Sequence, residues 1–528
     1  LKDVYYTHDT TFDFNPKGHR ETNYVLLGIA FLILFIAGIN FTNLTTSLIP
    51  LRLKTINTHR VLGCSIYKLR AISLIESIVI CLISYILALF IVNDLSYTPI
   101  ANWVDADIRL SQYKGLILLT ALIAILTGCL AGLYPAIRST SYAPALVLKG
   151  SFGLSPKGKK VRVALIGFQY TVSIALIIVT LFMGLQNHFM TSSEQLGFNK
   201  DQVAIVNLTP EIYAKHKPQY IQKLKDYPGI EDVAFSVYEL SKEDDMIDLE
   251  YARHEDKDVF FKVFYASENF LSVMDIQVEE GRDFTREDLN KAQSDYIINP
   301  AAERDFHLHP GDRFNDRTVL GVSKDFRFNS CRIASSPFVF ALNNDIPNPK
   351  LVSYIRFNSK TNLQEAVAHV RETLKEIDPT FPFEISFYNT ILNNLYQKEQ
   401  TLGKLISLFG IMAILISIVG VFGLVLFETQ YRRKEIGIRK INGATTGQIL
   451  LMFNKTYIRI VSVCFIISIP IAWMGTQQWL ENFAYKTPLH LWVFIVAFLI
   501  ILSVTIGTVT FRNWQAANEN PVNSVKSE

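Results

Sequence analysis

The sequence predicts an α-helical transmembrane bundle joined to one large α+β domain outside the membrane, with an internal repeat. Three observations indicate this fold class. Seven long apolar runs punctuate the chain, the stretch 186–404 has the composition of soluble protein, and segments around two of the runs align at an offset of 380 residues. Only 19% of the 528 residues are charged, whereas a soluble domain carries about 25%.

Charge and cysteine content exclude several function classes. The net charge of +3 is too small for a nucleic-acid-binding protein, so no nucleic-acid partner is expected. The five cysteines include no CxxC pair and no cysteine–histidine spacing of a zinc site. We therefore expect neither a metal nor another cofactor.

The apolar runs are the predicted membrane spans. Each has roughly the 20 mostly apolar residues that a spanning helix needs. They cover 24–47, 71–92, 115–134, 163–185, 405–427, 457–476 and 491–511.

Basic residues set the predicted orientation, because loops facing the cytoplasm are enriched in Lys and Arg. Such clusters follow the first span, precede the fourth and follow the fifth; they contain Arg52, Lys54, Arg60, Lys68, Arg70, Lys157, Lys159, Lys160, Arg162, Arg432, Arg433, Lys434, Arg439 and Lys440. All three clusters agree on one orientation. It puts the start of the chain, the loops 93–114 and 477–490, and the stretch 186–404 on the outside.

Polar and small residues within the spans predict helix packing rather than a transport pathway. Polar side chains in spans usually bond to a neighbouring helix, and we expect this of Asn40, Asn43, Gln169 and Ser417. Gly128 and Gly132 form a GxxxG spacing that allows close helix approach. No Asp or Glu lies near the middle of a span, which argues against a proton-driven carrier.

The repeat defines the predicted domain organisation. Residues 60–65 align with 440–445, and the segments 142–149 and 519–526 end the two copies alike. One complete unit is a span, an outside domain and three closing spans. The first copy retains only the tail of its outside domain, so we expect a fragment of a longer chain with eight spans. The predicted parts are 1–22, the tail of a first outside domain; 23–150, a first three-span domain; 151–185, a basic cytoplasmic segment and the fourth span; 186–404, the outside domain; and 405–528, a second three-span domain.

The outside domain alternates predicted strands and helices. Alternating β-branched runs predict strands at 202–207 and 296–299. Helical apolar spacing predicts helices around 220–227 and over 363–377. The segment is long enough to hold its own core.

The chain shows no catalytic constellation, so we expect a non-enzyme. His307 and His309 are spaced like metal ligands on a strand, but a solvated loop before Pro310 is the favoured interpretation. The segment 153–160 approaches the phosphate-binding loop GxxxxGK[ST], yet Lys160 replaces the hydroxyl residue and Pro156 interrupts it. A basic loop that cannot hydrolyse ATP is the better interpretation.

The segment 432–444, RRKEIGIRKINGA, closely resembles the signature of the MacB/FtsX-type ABC transporter permeases. Residues 28–44 resemble the second span of that family. Four further passages resemble landmarks of its periplasmic core domain: 196–198, 280–284, 297–299 and 321–328. The duplicated arrangement is most similar to the long eight-span permeases common in Bacteroidota.

The resemblance implies a multi-pass subunit of the bacterial inner membrane, with its large domain in the periplasm and a separate cytoplasmic ABC ATPase as partner. The residues it assigns to ATPase coupling are Arg432, Arg433, Lys434, Glu435, Gly437, Arg439, Lys440 and Gly443; a degenerate first copy has Lys54, His59, Arg60 and Gly63. The alternative is a purely structural role, in which these cations only anchor the span and fix its orientation. A periplasmic adaptor or outer-membrane partner is left open. So is the function: export or efflux, or a non-transporting relay that activates a periplasmic partner such as a cell-wall hydrolase.

Overall fold

A computed structural model describes residues 20–98, 101, 109–141, 156–192, 196–241, 248–291, 293–327, 329–342 and 351–518. Most of the predicted tail 1–22, both repeat endings at 142–149 and 519–526, and the start of the basic segment at 151–155 lie outside these residues. The chain divides into two compact units. Unit 1 holds Leu1–Gly184, Thr401–Gln478 and Leu489–Glu528, and unit 2 holds Leu185–Gln400 and Trp479–Pro488.

Unit 1 is built from helices. In chain order the α-helices of the described residues, in both units, are α1 Arg20–Ser47, α2 Ile49–Val61, α3 Ile66–Leu95, α4 Lys114–Thr140, α5 Pro156–Thr191, α6 Pro210–Lys225, α7 Phe270–Met274, α8 Pro300–Phe306, α9 Leu363–Ile377, α10 Tyr388–Leu395, α11 Gln397–Tyr431, α12 Arg433–Ile441, α13 Thr446–Leu480 and α14 Leu491–Ala517. Within the described part of the chain, seven of them (α1, α3, α4, α5, α11, α13 and α14) are long and apolar enough to cross a membrane. This confirms the seven predicted spans.

The span helices extend beyond the apolar runs that predicted them. Helix α5 begins at Pro156, so the last part of the basic segment is helical. The expectation of a basic loop over 153–160 is therefore wrong for residues 156–160. Proline is well suited to the first turn of a helix, because the amide it lacks would have no partner there.

Two of the predicted packing contacts form inside the bundle. The hydroxyls of Ser173 and Ser417 lie 2.9 Å apart, and the Asn40 side-chain amide donates to the Ile416 carbonyl. These bonds confirm the packing role of Asn40 and Ser417. The side-chain nitrogens of Asn43 and Gln169 have no hydrogen-bond partner among the described residues.

Helices α3 and α4 pack closely at the GxxxG spacing. A Cβ atom added at Gly128 would lie 3.0 Å from the Ile78 Cα, and one added at Gly132 would lie 2.6 Å from the Ser77 Cβ. Both distances are too short for an unchanged backbone. The small residues therefore set the approach of the two helices, as the spacing predicted.

Replacing Gly132 by leucine should force α3 and α4 apart. We expect a loss of about 2 kcal/mol or more in the stability of the purified chain, because overpacking a close contact costs that much. Thermal unfolding in detergent measures the change. Gly115→Leu is the control, since nothing lies within 4 Å of a Cβ at Gly115, and equal losses from both changes would contradict the packing account.

Unit 2 is an α+β domain whose described residues form an 11-stranded sheet. Its strands are β1 Val203–Leu208, β2 Ile230–Ser236, β3 Asp248–His254, β4 Lys257–Ala266, β5 Val278–Gly281, β6 Tyr296–Ile298, β7 Arg313–Phe314, β8 Arg317–Ser323, β9 Phe338–Leu342, β10 Leu351–Phe357 and β11 Ile385–Phe387. The order is β11-β1-β10-β2-β4-β9-β6-β8-β5, with β3 beside β4 and β7 beside β8. The strands predicted at 202–207 and 296–299, and the helices predicted around 220–227 and over 363–377, correspond to β1, β6, α6 and α9.

The sheet joins two lobes through a thin connection. Strands β2 and β4 share one register pair, Ser236 with Ala266, whereas β3 and β4 share seven. The strands β1, β2 and β10 form one lobe with α6 and α9 over a core that includes Tyr220 and Val370. The other lobe has buried aromatic residues on both sheet faces, among them Phe264. One buried cluster nevertheless runs across this connection, because residues of β1, β2 and β10 pack in the same cluster as Phe264.

The segment Trp479–Pro488, between α13 and α14, belongs to unit 2. Arg327 lies over the Tyr485 ring at 4.2 Å, and Arg332 lies over the Phe483 ring at 4.7 Å. Gln186 donates to the Tyr485 carbonyl at 3.0 Å. These contacts gather three segments that are distant in the chain, which sequence spacing alone does not indicate.

One buried carboxylate holds the edge of the second lobe. Asp288 is 2% exposed and accepts two hydrogen bonds from Arg282, at 2.7 and 2.8 Å. Lys291 lies 2.9 Å away, and Thr285 donates from both its backbone and its hydroxyl. The bonds from Arg282, together with those from Lys291 and Thr285, hold the pKa of Asp288 far below its usual range.

Replacing Asp288 by asparagine should destabilise unit 2 by about 2 kcal/mol at pH 7, a value reduced for the half-exposed cations. A depressed pKa gives stability that is present above the unfolded pKa of about 4 and is lost as pH falls toward the folded value. The difference between the two proteins should thus shrink by about 1 kcal/mol per pH unit below pH 4. Urea unfolding of the full chain at pH 7 and pH 3 measures it; a difference independent of pH would contradict this role.

Candidate functional site

The two copies of the repeat each contain a short helix after a span, followed by a tight turn into the next span. We call residues 49–68 the first elbow and residues 432–449 the second elbow. Helix α2 lies in the first and helix α12 in the second. Both helices lie in the basic segments that follow the first and fifth predicted spans.

Each elbow turns through the same hydrogen-bonded end. In the second, the amide of Ala444 donates to the Arg439 carbonyl at 2.9 Å, and that of Gly443 donates to the Lys440 carbonyl at 3.1 Å. In the first, Cys64 donates to His59 at 2.9 Å and Gly63 to Arg60 at 3.0 Å. This pair of bonds is the Schellman motif.

The motif explains the glycine in each copy. Gly443 has φ +87° and Gly63 has φ +89°, the left-handed region that favours glycine. Nothing lies within 4 Å of a Cβ atom built at either position. Backbone conformation, rather than space, therefore requires glycine at these two turns.

The second elbow also has a capping box that the first lacks. The Thr445 hydroxyl accepts from the Gln448 amide at 3.3 Å, and the Gln448 side chain accepts from the Thr445 amide at 3.1 Å. This reciprocal pair satisfies two free amides at the start of α13. In the first elbow Ser65 precedes α3 without a side-chain cap, and Lys68 stands where Gln448 does.

An exposed ion pair lies along helix α12. Arg439 Nη2 is 2.9 Å from Glu435 Oε1, four residues apart, and their side chains are 52% and 42% exposed. Such a pair stiffens a helix by a few tenths of a kcal/mol at most. Thr55 and His59 occupy these positions in the first elbow, so the pair is specific to the second.

Arg432 is partly buried against the helices of unit 1. It pairs with Glu428 at 3.0 Å and lies 5.7 Å from the centre of the Phe453 ring. The Tyr457 hydroxyl donates to the same carboxylate at 3.2 Å. Arg432 thereby ties the end of α11 to α13, a structural role that separates it from Arg439.

Cations in and just after the first elbow make contacts within unit 1. Arg52 makes two 2.8 Å bonds to Glu76, and Arg60 donates to the Thr140 carbonyl at 3.3 Å. Arg70 donates to the Thr140 hydroxyl at 3.0 Å. The side chains of Lys54, Arg433 and Lys434 lie outside the described residues.

An open cavity of about 400 Å³ lies at the second elbow. Six residues line it: Arg439, Asn442, Gly443, Ala444, Gln448 and Ile449. Arg439 and Gly443 are among the residues predicted from the sequence, whereas Gln448 and Ile449 are not. The T-x-x-Q spacing of the capping box was the available signal for Gln448.

His307 and His309 lie in a loop after α8, which confirms the favoured interpretation. His307 has φ +52° at the end of that helix. His309 Nδ1 is 3.6 Å from Glu303 Oε1, and ligand atoms of Glu280, Glu303 and His309 lie within 4.8 Å of one another. Groups this exposed often meet on protein surfaces without a metal.

Comparison with known proteins matches both three-span segments to one family. Residues 27–144 and 407–521 each match the model described as FtsX-like permease C-terminal. The chain is 25% identical over 212 residues to the macrolide export ATP-binding/permease protein MacB of Aggregatibacter actinomycetemcomitans, covering 38% of this chain and 32% of that protein. A MacB of Neisseria gonorrhoeae is 25% identical over 223 residues, covering 40% and 34%. The chain thus spans about a third of the length of these curated relatives.

Two solved structures resemble part of the chain. The periplasmic region of MacB from Actinobacillus actinomycetemcomitans is 15% identical with a TM-score of 0.28, covering 38% of this chain and 94% of that one. The extracellular domain of the noncanonical ABC-type transporter YknZ from Gram-positive bacteria is 17% identical with a TM-score of 0.26, covering 35% and 99%.

Proposed function

We propose that this chain, which belongs to the MacB/FtsX-type ABC transporter permease family, couples ATP hydrolysis by a separate cytoplasmic ATPase to movement of its large extramembrane unit. The proposed location is the bacterial inner membrane, with unit 2 in the periplasm. Export or efflux is the proposed outcome of that movement. Family membership alone indicates a multi-pass permease subunit. The separate ATPase and the outward direction of transport are the proposed additions.

The second elbow is the observation that carries this proposal. Four hydrogen bonds, two in the Schellman motif and two in the capping box, join the end of α12 to the start of α13, so we expect the two helices to move together. Its exposed surface has a cation, Arg439, beside a cavity of about 400 Å³. A partner can therefore dock there and displace α13 without first unfolding the turn.

Charge supports the choice of partner surface. Arg439 and Lys440 lie in the last turn of α12, where a cation also interacts favourably with the helix dipole. Arg439 donates one hydrogen bond to Glu435, from its Nη2 atom. Its other guanidinium donors are available to a carboxylate of the ATPase. The proposed contact is thus an acidic or carbonyl-lined groove around α12.

The two elbows should differ in their contribution to coupling. The first lacks the ion pair and the capping box, and Arg52, Arg60 and Arg70 make contacts within unit 1. We therefore propose that the second elbow drives ATPase coupling and that the first mainly holds its own helices together.

Alanine substitutions test this asymmetry. Glu435→Ala and Arg439→Ala should each lower the ATPase activity of the reconstituted complex at least threefold. Thr55→Ala and His59→Ala, the corresponding changes in the first elbow, should alter it less than 1.5-fold. Equal losses from both pairs would overturn the asymmetric proposal.

A further inference from the structure

Helices α1 and α11 occupy corresponding places in the two repeats, and they meet in the interior of unit 1. At the offset of 380 residues, Asn40 corresponds to Gly420 and Asn43 corresponds to Gly423. One helix therefore reads Asn-x-x-Asn where its counterpart reads Gly-x-x-Gly. We call residues 36–44 and 416–423 the seam.

Across the seam, side chains of α1 fill the space that the glycines of α11 leave. Asn40 Nδ2 donates to the Ile416 carbonyl at 2.5 Å. A Cβ atom added at Gly420 would lie 2.9 Å from Asn40 Cγ and 3.0 Å from its Nδ2. A Cβ atom at Gly423 would lie 3.1 Å from Leu44 Cγ.

The contact between Asn40 and Gly420 is of the kind that a two-fold pairing produces. When like helices pair around a two-fold axis, a residue near the axis meets its own counterpart. Asn40 does so here, because it packs against Gly420. Two copies of α1 in this arrangement would put two amides into one space, and two copies of α11 would leave that space empty.

The buried side chain of Asn40 lowers the stability of the bundle. Asn40 is 6% exposed, and its Oδ1 has no hydrogen-bond partner among the described residues. An apolar side chain would avoid an unpaired acceptor inside a membrane bundle. In coiled coils, a buried asparagine lowers stability and in return fixes which helices pair and in what register.

We propose that Asn40 and Gly420 form a lock between unlike halves: the first half of the bundle pairs with the second half of the same chain, and pairing of two identical halves is disfavoured. Ordinary packing differs from this in one respect. If the two sides only need to fit together, exchanging Asn40 and Gly420 is not expected to restore the contact. If the seam is a two-fold lock, the exchange rebuilds the same contact, with an amide at position 420 reaching the carbonyl of Ile36, the counterpart of Ile416.

A disulfide reporter in the full chain tests the lock without any ATPase. Leu44→Cys with Gly423→Cys, in a chain whose native cysteines are replaced by alanine, places two thiols across the seam. The distance from Leu44 Cγ to a Cβ at Gly423 is compatible with a disulfide. Oxidation in detergent followed by gel mobility and thiol counting measures the yield.

Adding Gly420→Asn to the reporter should lower the disulfide yield at least fivefold, and adding Asn40→Gly as well should restore it to within twofold. Gly507→Asn is the matched control for an amide in an apolar helix, because nothing lies within 4 Å of a Cβ there. Tolerance of Gly420→Asn, or a double exchange no better than the single change, would overturn the lock. A doubled-mass product from Leu44→Cys alone would show that like halves pair and would also overturn it. Each of these results is independent of ATP coupling.

Discussion

Replacing Gly443 by valine should lower the ATPase activity of the reconstituted permease–ATPase complex at least tenfold. The residue has φ +87°, and a β-branched side chain in that conformation costs more than the one or two kcal/mol of an ordinary residue. Relieving this strain breaks the bonds from Gly443 and Ala444 to the end of α12. A hinge then replaces the rigid turn, so a push on α12 no longer moves α13.

Two substitutions separate this effect from general damage. Gly443→Asn should retain at least half of the activity, because asparagine tolerates the left-handed region. Gly63→Val introduces the same strain at φ +89° in the first elbow and should lower activity less than threefold. Equal losses from Gly63→Val and Gly443→Val would show that the loss reflects folding rather than coupling through the second elbow.

Replacing Arg439 by glutamate should weaken retention of the ATPase on the immobilised permease at least tenfold. The change places two carboxylates, at 435 and 439, on one exposed face of α12. It removes the only cation that the cavity lining contributes among the described residues. Retention at several salt concentrations measures the effect, and the wild-type complex should weaken as salt rises.

The double change Glu435→Arg with Arg439→Glu is the matched control for this reversal. It keeps the net charge and an i,i+4 ion pair on α12, so both orientation in the membrane and helix stiffness are preserved. Retention should remain low, because the cation no longer lies beside the cavity. Full recovery would mean that Arg439 only stiffens α12 or anchors the span.

The membrane part of the fold is predictable from the sequence because its signal is local. A bilayer demands long apolar runs, so composition alone places all seven span helices. The same local signal underestimates their length: α5 begins at Pro156 and α13 at Thr446, where polar residues continue the helix beyond the apolar run. Helix ends follow caps and turns instead of hydropathy.

Contacts between distant segments are less accessible to sequence reasoning. The packing of Tyr485 against Arg327 joins residues far apart in the chain, and no spacing rule pairs them. Arg432 has the same basic character as Arg439, so the motif grouped them. Only the fold shows that Arg432 binds Glu428 within the bundle while Arg439 is exposed.

The two copies of the repeat also differ in complementary ways outside the basic motif. Aligning the two copies beyond the basic elbows pairs Asn40 with Gly420 and Asn43 with Gly423. The pairing becomes meaningful only when the two helices are seen to touch. Complementary differences between the two copies, as well as their shared residues, therefore bear on how the bundle packs.

Gentle purification of the chain from its native membrane, followed by mass spectrometry of the proteins that accompany it, tests the central claim most directly. The account predicts an ATPase subunit with a phosphate-binding loop in the complex, lost when Arg439 is changed to glutamate and retained when His59 is changed in the same way. Absence of such a subunit across several mild detergents, or its retention despite Arg439→Glu, would contradict coupling through the second elbow.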